Sequence, residues 1–510
     1  MVGAALSKLL GLFREVLTSY FFGASRAVDT YLVASLLPDM FSAIVGISLT
    51  IVIIPALIEL RNREGEAASW LKLASPMFIV IGLLLIFSSL ITFFSSSWIV
   101  RLLAPGFERD AMAQSAALTR ILSPSLFFFG LSGLLTGVLQ SYRHFLVTAM
   151  APMLQNIGMI LTIVFGARAL GNEALAIGYL LGGFLQFIAL LGALLIKKPP
   201  FSFQVKLFSP RIRVLLVLWL PLLVGSTASQ IDSLVNRMVA SRLPEGSISG
   251  LNYANLIFGL LPSVVLAAVG NAFYPSLAEA SVNKNLPSLI KGFSRALRIA
   301  WFFIIPGAGF LVAFAYAITQ FVFQRGAFDA HDTWVTASAL QIYAPSLIPL
   351  AFTSLGFRVF YASKNTTTPL WVALCSIGTS IAFNLTLVRF MDHRGLALAT
   401  VLSSTVAALL CFLTLSKRLS LHSKELLRDM LWLVMLTAFV SIATYLMDLF
   451  ILVNVPLLPR LLILLSSFCS LFLLLNLIPH TPLASEVQVM IKKGLERLKN
   501  LFNSRNSSNP

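Results

Sequence analysis

A chain of 510 residues that is 58% hydrophobic and only 11% charged, with a mean hydropathy of +0.89, is too apolar for a soluble protein, in which about a quarter of residues are charged. Its net charge of +17 is spread through short loops between apolar runs, which excludes a nucleic-acid-binding face and fits loops that orient a membrane protein. Cys375, Cys411 and Cys469 lie inside apolar runs, so neither a disulfide framework nor a metal site is implied.

The chain opens without a small-residue cleavage site after a short apolar core, so its start is read as a first helix and not a removable signal. The stretch from Ser7 to Pro55 is apolar enough for a bilayer, yet it holds Lys8, Arg14, Glu15, Arg26, Asp29 and Asp39. A charge at membrane depth costs about 3 kcal/mol on insertion scales, so such residues face a wet cavity or a partner. Gly11, Gly23 and Pro38 interrupt the helical run where the charges gather, which suits broken helices lining a transport path. A competing reading makes Lys8 and Arg14 anchors that snorkel to one surface, with Arg26, Asp29 and Asp39 in an outer loop.

Runs of the roughly 20 residues needed to span a bilayer follow one another along the chain. They are predicted at 10–35, 40–60, 74–100, 114–140, 146–167 and 174–196, then, after a basic connector, at 214–240 and 250–278. Six more fall near 298–323, 334–360, 369–390, 395–416, 429–450 and 456–478, about fourteen in all. Lys and Arg are about threefold commoner in the loops after even-numbered spans and in the tail than in the loops after odd-numbered ones. Both termini are therefore expected in the cytoplasm.

In the seventh span Gly225, Ser229, Asp232 and Asn236 recur at helical spacing as a polar stripe, with Arg237 at its rim. Ser229 and Asn236 fit interhelical hydrogen bonding as well as a cavity role. Asp232 and Arg237 are too costly for that alone and are read as facing a cavity.

The chain also repeats itself. The segment from Pro105 resembles the one from Arg325: Phe107 precedes Pro124 by the same distance that Phe328 precedes Pro345, and each proline continues into Ser-Leu. An offset of six spans gives two halves of the same orientation, with a substrate path expected between them. The predicted architecture is an all-α polytopic membrane protein. It has an N-terminal six-helix lobe (1–198), a basic cytoplasmic connector (199–213), a second six-helix lobe (214–420), two further helices (421–480) and a basic cytoplasmic tail (481–510).

Several motifs in order carry a resemblance to a known family. They are SKLLGLFREVLTSYFFGASRAVDTYLVASLLP from Ser7, LAPGF at 103–107, APMLQN at 151–156, GGFLQF at 182–187, SQIDSLVNRMVASRLPEGSISGLNYAN at 229–255, QRGAFDA at 324–330 and RVFYASKNTTTP at 358–369. Together they resemble the MviN/MurJ family, the lipid II flippases of bacterial cell-wall synthesis, over Ser7 to about Ser416. The resemblance implies the multidrug/oligosaccharidyl-lipid/polysaccharide exporter fold, alternating access, and two extra helices that form a groove for a polyprenyl tail. It places Lys8, Arg14, Glu15 and Asp29 at the family's cavity-lining charged positions, where cations would hold a pyrophosphate headgroup.

Two family arginine positions differ here: the second helix reads Phe41-Ser42-Ala43-Ile44-Val45-Gly46, and the eighth reads Tyr253-Ala254-Asn255-Leu256. Arg237 is the residue placed to compensate, and Asn255 stands where the family has an acidic side chain. The resemblance also suggests a sodium site, which Asn236 and Asn384 match while Val388 replaces a carboxylate.

No catalytic constellation appears: there is no phosphate-binding Gly-rich loop, no HExxH, and the five histidines are scattered. Short outer loops argue against a membrane glycosyltransferase. The expectation is a non-enzymatic flippase of the bacterial cytoplasmic membrane, without cofactor. Its partners would be lipid II or a similar undecaprenyl-pyrophosphate glycolipid and, further, cell-wall synthesis proteins. The alternative is an exporter of another polyprenyl-linked glycan, such as an exopolysaccharide or O-antigen unit.

Overall fold

The computed structural model describes residues 2–196, 210–419 and 423–476, so the basic tail and most of the basic connector lie outside the described residues. The side chain of Ser229 is likewise outside them. Among the described residues every regular element is helical. The chain begins with α1 (Val2–Phe22) and α2 (Arg26–Phe41), which passes through wider π-helical turns at Ser42–Gly46 into α3 (Ile47–Glu64). The short α4 (Glu66–Ser69) leads to α5 (Ser75–Phe94) and α6 (Ser96–Leu103), then α7 (Arg109–Leu122), α8 (Ser125–Ser141), α9 (Phe145–Leu170) and α10 (Glu173–Leu195). The remainder comprises α11 (Pro210–Ala240), α12 (Ser247–Val282), α13 (Leu286–Phe323), α14 (Ala330–Tyr343), α15 (Leu347–Ala362), α16 (Thr367–Leu419), α17 (Ser423–Phe450) and α18 (Leu457–Asn476).

Among the described residues ten helices are long and apolar enough to cross a membrane, and α7 with α8, bent by 42°, makes an eleventh. Fourteen spans are consistent with this. The helix α16 is broken at Asp392 (φ 49°, ψ −133°), between the two spans expected there, and α11 occupies the expected seventh position. The first span is shifted from the expected 10–35: α1 ends at Phe22, the chain turns at Gly23 (φ 66°), and α2 starts at Arg26. The repeated Pro-Ser-Leu acts alike in both halves. Pro124 separates α7 from α8, and Pro345 lies in the 3₁₀ turn Ala344–Ser346 between α14 and α15. A proline lacks the N–H of the helical ladder and clashes with the preceding turn, which favours a break at each, although Pro152 and Pro262 lie inside continuous helices.

The residues form two compact units. One holds Met1–Tyr253, Val322–Thr336 and Ser380–Ala399, and the other holds Ala254–Phe321, Ala337–Thr379 and the chain from Thr400 onward. In the first unit α9 and α10 approach closely because Gly158 meets Gly182: a Cβ on Gly158 would lie 2.5 Å from the Gly182 Cα. Small residues at such crossings let backbones approach where lipid supplies no hydrophobic drive. In the second unit Leu433, Val440, Leu464 and Phe468 of α17 and α18 belong to the same apolar core as Phe293, Ile304 and Phe360. Ion pairs fix these helices. Arg298 reaches Asp429 through Nε at 2.7 Å and Glu425 through Nη2 at 3.4 Å, and Arg460 holds Asp448 with two nitrogens, Nη2 at 2.8 Å.

Candidate functional site

In the first unit, α1 and α2 bring charge into the apolar bundle. The guanidinium of Arg14 pairs with Glu15, and its Nη1 donates to Met159 Sδ at 3.5 Å. Tyr31 OH contacts the same sulfur at 3.9 Å. Arg14 keeps its Nε buried without a partner among the described residues. The α9 motif residue Asn156 donates to the Ser7 carbonyl at 3.2 Å, tying α1 to α9 just before these charges. Arg237, at the end of α11, has no ion pair among the described residues, and its Nη1 is buried without a partner there. Two guanidiniums thus retain unused donors in an apolar setting, where a bare donor costs about 1–3 kcal/mol.

Directly before Arg237, a polar seam joins α11 to α16. Asn236 Nδ2 donates to Asp232 Oδ2 at 3.2 Å, and Asn384 Nδ2 donates to Asn236 Oδ1 at 2.7 Å and to Ser380 Oγ at 3.3 Å. Asp232 Oδ1 and Asn384 Oδ1 are buried with no partner. The chain therefore brings Asp232, Asn236 and Asn384 together, although 148 residues separate the two asparagines.

Asp29 has a different environment. It is 1% exposed, and its carboxylate accepts from Gly246 N at 2.9 Å and Ser249 N at 2.8 Å, capping the start of α12. Two more carboxylates act similarly nearby: Asp332 accepts from Ala24 N at 2.9 Å and Glu245 from Arg26 N at 2.8 Å. Free N–H groups at a helix start favour negative charge, so each carboxylate finds a ready partner. Gly23 (φ 66°) and Gly246 (φ 82°) make the crossing possible. A Cβ on Gly23 would stand 2.6 Å from the Ala327 carbonyl oxygen, and one on Gly246 would stand 2.3 Å from that of Ala24. Three of the motifs, at 23–29, 242–249 and 324–330, meet in this junction.

Lys8 and Asn255 are exposed, the first on α1 and the second on α12 in the second unit. Asp39, one of the charges in the Ser7–Pro55 stretch, faces a partner: Tyr179 OH donates to its Oδ1 at 2.6 Å. Its signal was present as a carboxylate directly after Pro38 inside an apolar run. The second unit carries an apolar groove of about 610 Å³ among α12, α13 and α18, lined by Leu261, Val264, Phe303, Phe310, Phe468 and Phe472.

The sequence family model described as "Lipid II flippase MurJ" matches residues 18–464, most of the chain. The chain belongs to the lipid II flippase MurJ family. Its match runs past Ser416 into α17 and α18, beyond the motifs that carried the resemblance. The lipid II flippase MurJ of Burkholderia cenocepacia is 30% identical over 425 residues, covering 81% of this chain and 82% of that protein. A probable lipid II flippase MurJ of Bdellovibrio bacteriovorus is 29% identical over 81% of this chain and 80% of its own length. Among solved structures, a lipid II flippase MurJ in an inward closed conformation shares the fold with a TM-score of 0.81 and 24% identity, covering 94% of this chain and 97% of the other. A multidrug resistance MATE family transporter in an inward-facing conformation reaches a TM-score of 0.68 at 17% identity, covering 81% of this chain and 94% of its own. The MurJ-family chain is thus a multi-pass membrane transporter with the fold of the multidrug/oligosaccharide exporters.

Proposed function

We propose that this chain translocates lipid II, the undecaprenyl-pyrophosphate-linked peptidoglycan precursor, from the inner to the outer leaflet of the bacterial cytoplasmic membrane. Family membership carries the reading, and the unused guanidinium donors of Arg14 and Arg237 give it a chemical basis. A pyrophosphate offers multiple anionic oxygens to such forks, and both contacts are strongest where water is excluded. The reading assigns transport by alternating access between two six-helix lobes, without covalent chemistry. Both termini lie in the cytoplasm, following the basic-loop bias. The groove among α12, α13 and α18 is the proposed seat of the polyprenyl tail, whose apolar surface matches the groove's lining.

Asp232, Asn236 and Asn384 suit a monovalent cation better than a catalytic metal. The seam offers oxygen donors, one carboxylate charge and two buried oxygens with no partner, the ligand type that hard cations take. A cation there would neutralise Asp232 and link α11 to α16.

A second reading, export of another polyprenyl-linked glycan, is favoured by Ala43 and Leu256, which stand where the family has arginines. Depleting the protein and weighing the accumulated polyprenyl lipids by mass spectrometry separates the two. Accumulated lipid II supports the first reading; accumulation of a different glycolipid with normal lipid II overturns it.

A further inference from the structure

Three helix ends that the basic-loop bias assigns to the cytoplasm share one device. The residues following α8, α12 and α15 include Arg143 (φ 63°), Lys284 (φ 52°) and Lys364 (φ 55°), all left-handed. In each case that residue's N–H donates to the carbonyl three positions back: Gln140, Ser281 and Tyr361. The next N–H donates to the carbonyl five back: Leu139, Ala280 and Phe360. This closure usually ends on glycine, because a side chain at positive φ costs about 1 kcal/mol or more. After α3 the chain turns on a glycine in a different way: Gly65 (φ 90°, ψ 172°) donates its N–H to the Arg61 carbonyl four positions back. Attraction to the helix C-terminus returns only part of that cost at each basic position.

Beside Arg143 the first unit has a cleft of about 370 Å³. Its lining combines Arg61, Asn62 and Arg143 with the apolar Ile54, Ile58 and Phe145. Arg61 is held in place: its guanidinium lies 5.2 Å from the Tyr142 ring centre, and Nη1 donates to the Ser141 carbonyl at 3.1 Å. Tyr142 in turn stacks on Trp70 at 5.9 Å and shares a hydrogen bond with Ser69 at 3.2 Å. Neighbouring basic residues are already paired, Arg63 with Glu59 at 3.0 Å and Lys72 with Glu64 at 2.6 Å. Among the described residues neither Arg61 nor Arg143 has a carboxylate partner.

We propose that this cleft binds an anionic phospholipid of the surrounding membrane, with the phosphate between Arg61 and Arg143 and an acyl chain along Ile54, Ile58 and Phe145. Two unpaired guanidiniums match one phosphate, and the apolar wall matches a chain that a free phosphate lacks. Basic pockets between helices at the cytoplasmic surface recognise lipid headgroups by this chemistry. The transport reading does not require the site.

The test uses the full-length protein in a neutral detergent. Retention of phosphatidylglycerol and of phosphatidylcholine is measured by native mass spectrometry, alongside thermal unfolding with each lipid or with inorganic phosphate. The wild type should retain phosphatidylglycerol preferentially. Arg61→Gln and Arg143→Gly should each lower that retention about tenfold, the loss expected for one charge-assisted contact. Arg143→Gly is the informative variant, because glycine suits φ 63° and the lipid-free midpoint should hold or rise while lipid binding falls. Arg63→Gln, which removes an exposed, already paired charge, should leave retention unchanged. Unchanged retention in Arg61→Gln and Arg143→Gly would overturn the proposal. So would an equal loss in Arg63→Gln, or a thermal rise with inorganic phosphate equal to that with phosphatidylglycerol.

Discussion

Around Asp29 both carboxylate oxygens are matched by backbone N–H groups at 2.8 and 2.9 Å, and the neighbouring Asp332 and Glu245 are matched in the same way. Around Arg237 and Asp232, in the same unit, Arg237 Nη1, Asp232 Oδ1 and Arg14 Nε are buried with no partner among the described residues. Both regions bury charge in an apolar chain, and both include residues singled out by their sequence. Satisfaction of the polar atoms tells them apart. A fully matched carboxylate holds backbone together, and removing one partner strands the other. An unmatched guanidinium costs stability in the protein as it stands and repays that cost only when a ligand completes it.

The strongest way to break this contrast is at Arg14. Arg14→Ala should abolish flipping measured in proteoliposomes, and Arg14→Lys should recover only part, because an ammonium loses the two-pronged contact with phosphate. Wild-type rates in Arg14→Ala would leave Arg14 as a snorkelling anchor. Arg237→Ala should cost at least about tenfold, the worth of one charge-assisted contact. Adding Leu256→Arg in that background sharpens the point, since recovery of activity would make Arg237 the stand-in for the missing family arginine. No recovery would confine Arg237 to its own position.

A smaller effect is expected at the groove. Val264→Trp, at a 66% exposed groove position, should slow a substrate with a full-length tail several-fold and spare a short-tailed analogue. Equal slowing of both would detach the groove from the tail. At the junction, Asp29→Asn keeps one acceptor and loses the charge, so it should lower thermal stability by about 2 kcal/mol. The smallest effect is at the polar seam. Sodium should raise the unfolding midpoint of the wild type by a few degrees over choline, the scale of about 1 kcal/mol of binding, and Asp232→Asn should remove the rise.

Much of this was legible in the sequence. The helical class and the broken Pro-Ser-Leu spans follow from apolar run length and from proline's missing donor, which are local properties. Arg14 with Glu15 and the Asp232–Asn236 step are neighbours along a helix, so spacing alone placed them together. The role of Asp29 was not legible, because its partners are backbone N–H groups 217 and 220 residues away, which carry no residue signature. The pairing of Asp39 with Tyr179 was hidden for the same reason: the helices α2 and α10 had to be packed before the two could be matched. The weight on Arg237 came from the cost of a charge beside the polar stripe of the seventh span and from the absence of arginine at Leu256. The geometry adds that its donor is unused.

The most direct test of the contrast is retention of lipid II by purified protein, measured by native mass spectrometry for Arg14→Gln, Arg237→Gln and Asp29→Asn in parallel. The account predicts that both arginine variants lose lipid II about tenfold or more, while Asp29→Asn binds it like the wild type despite its lower stability. Full retention in the two arginine variants, or loss in Asp29→Asn alone, would contradict it.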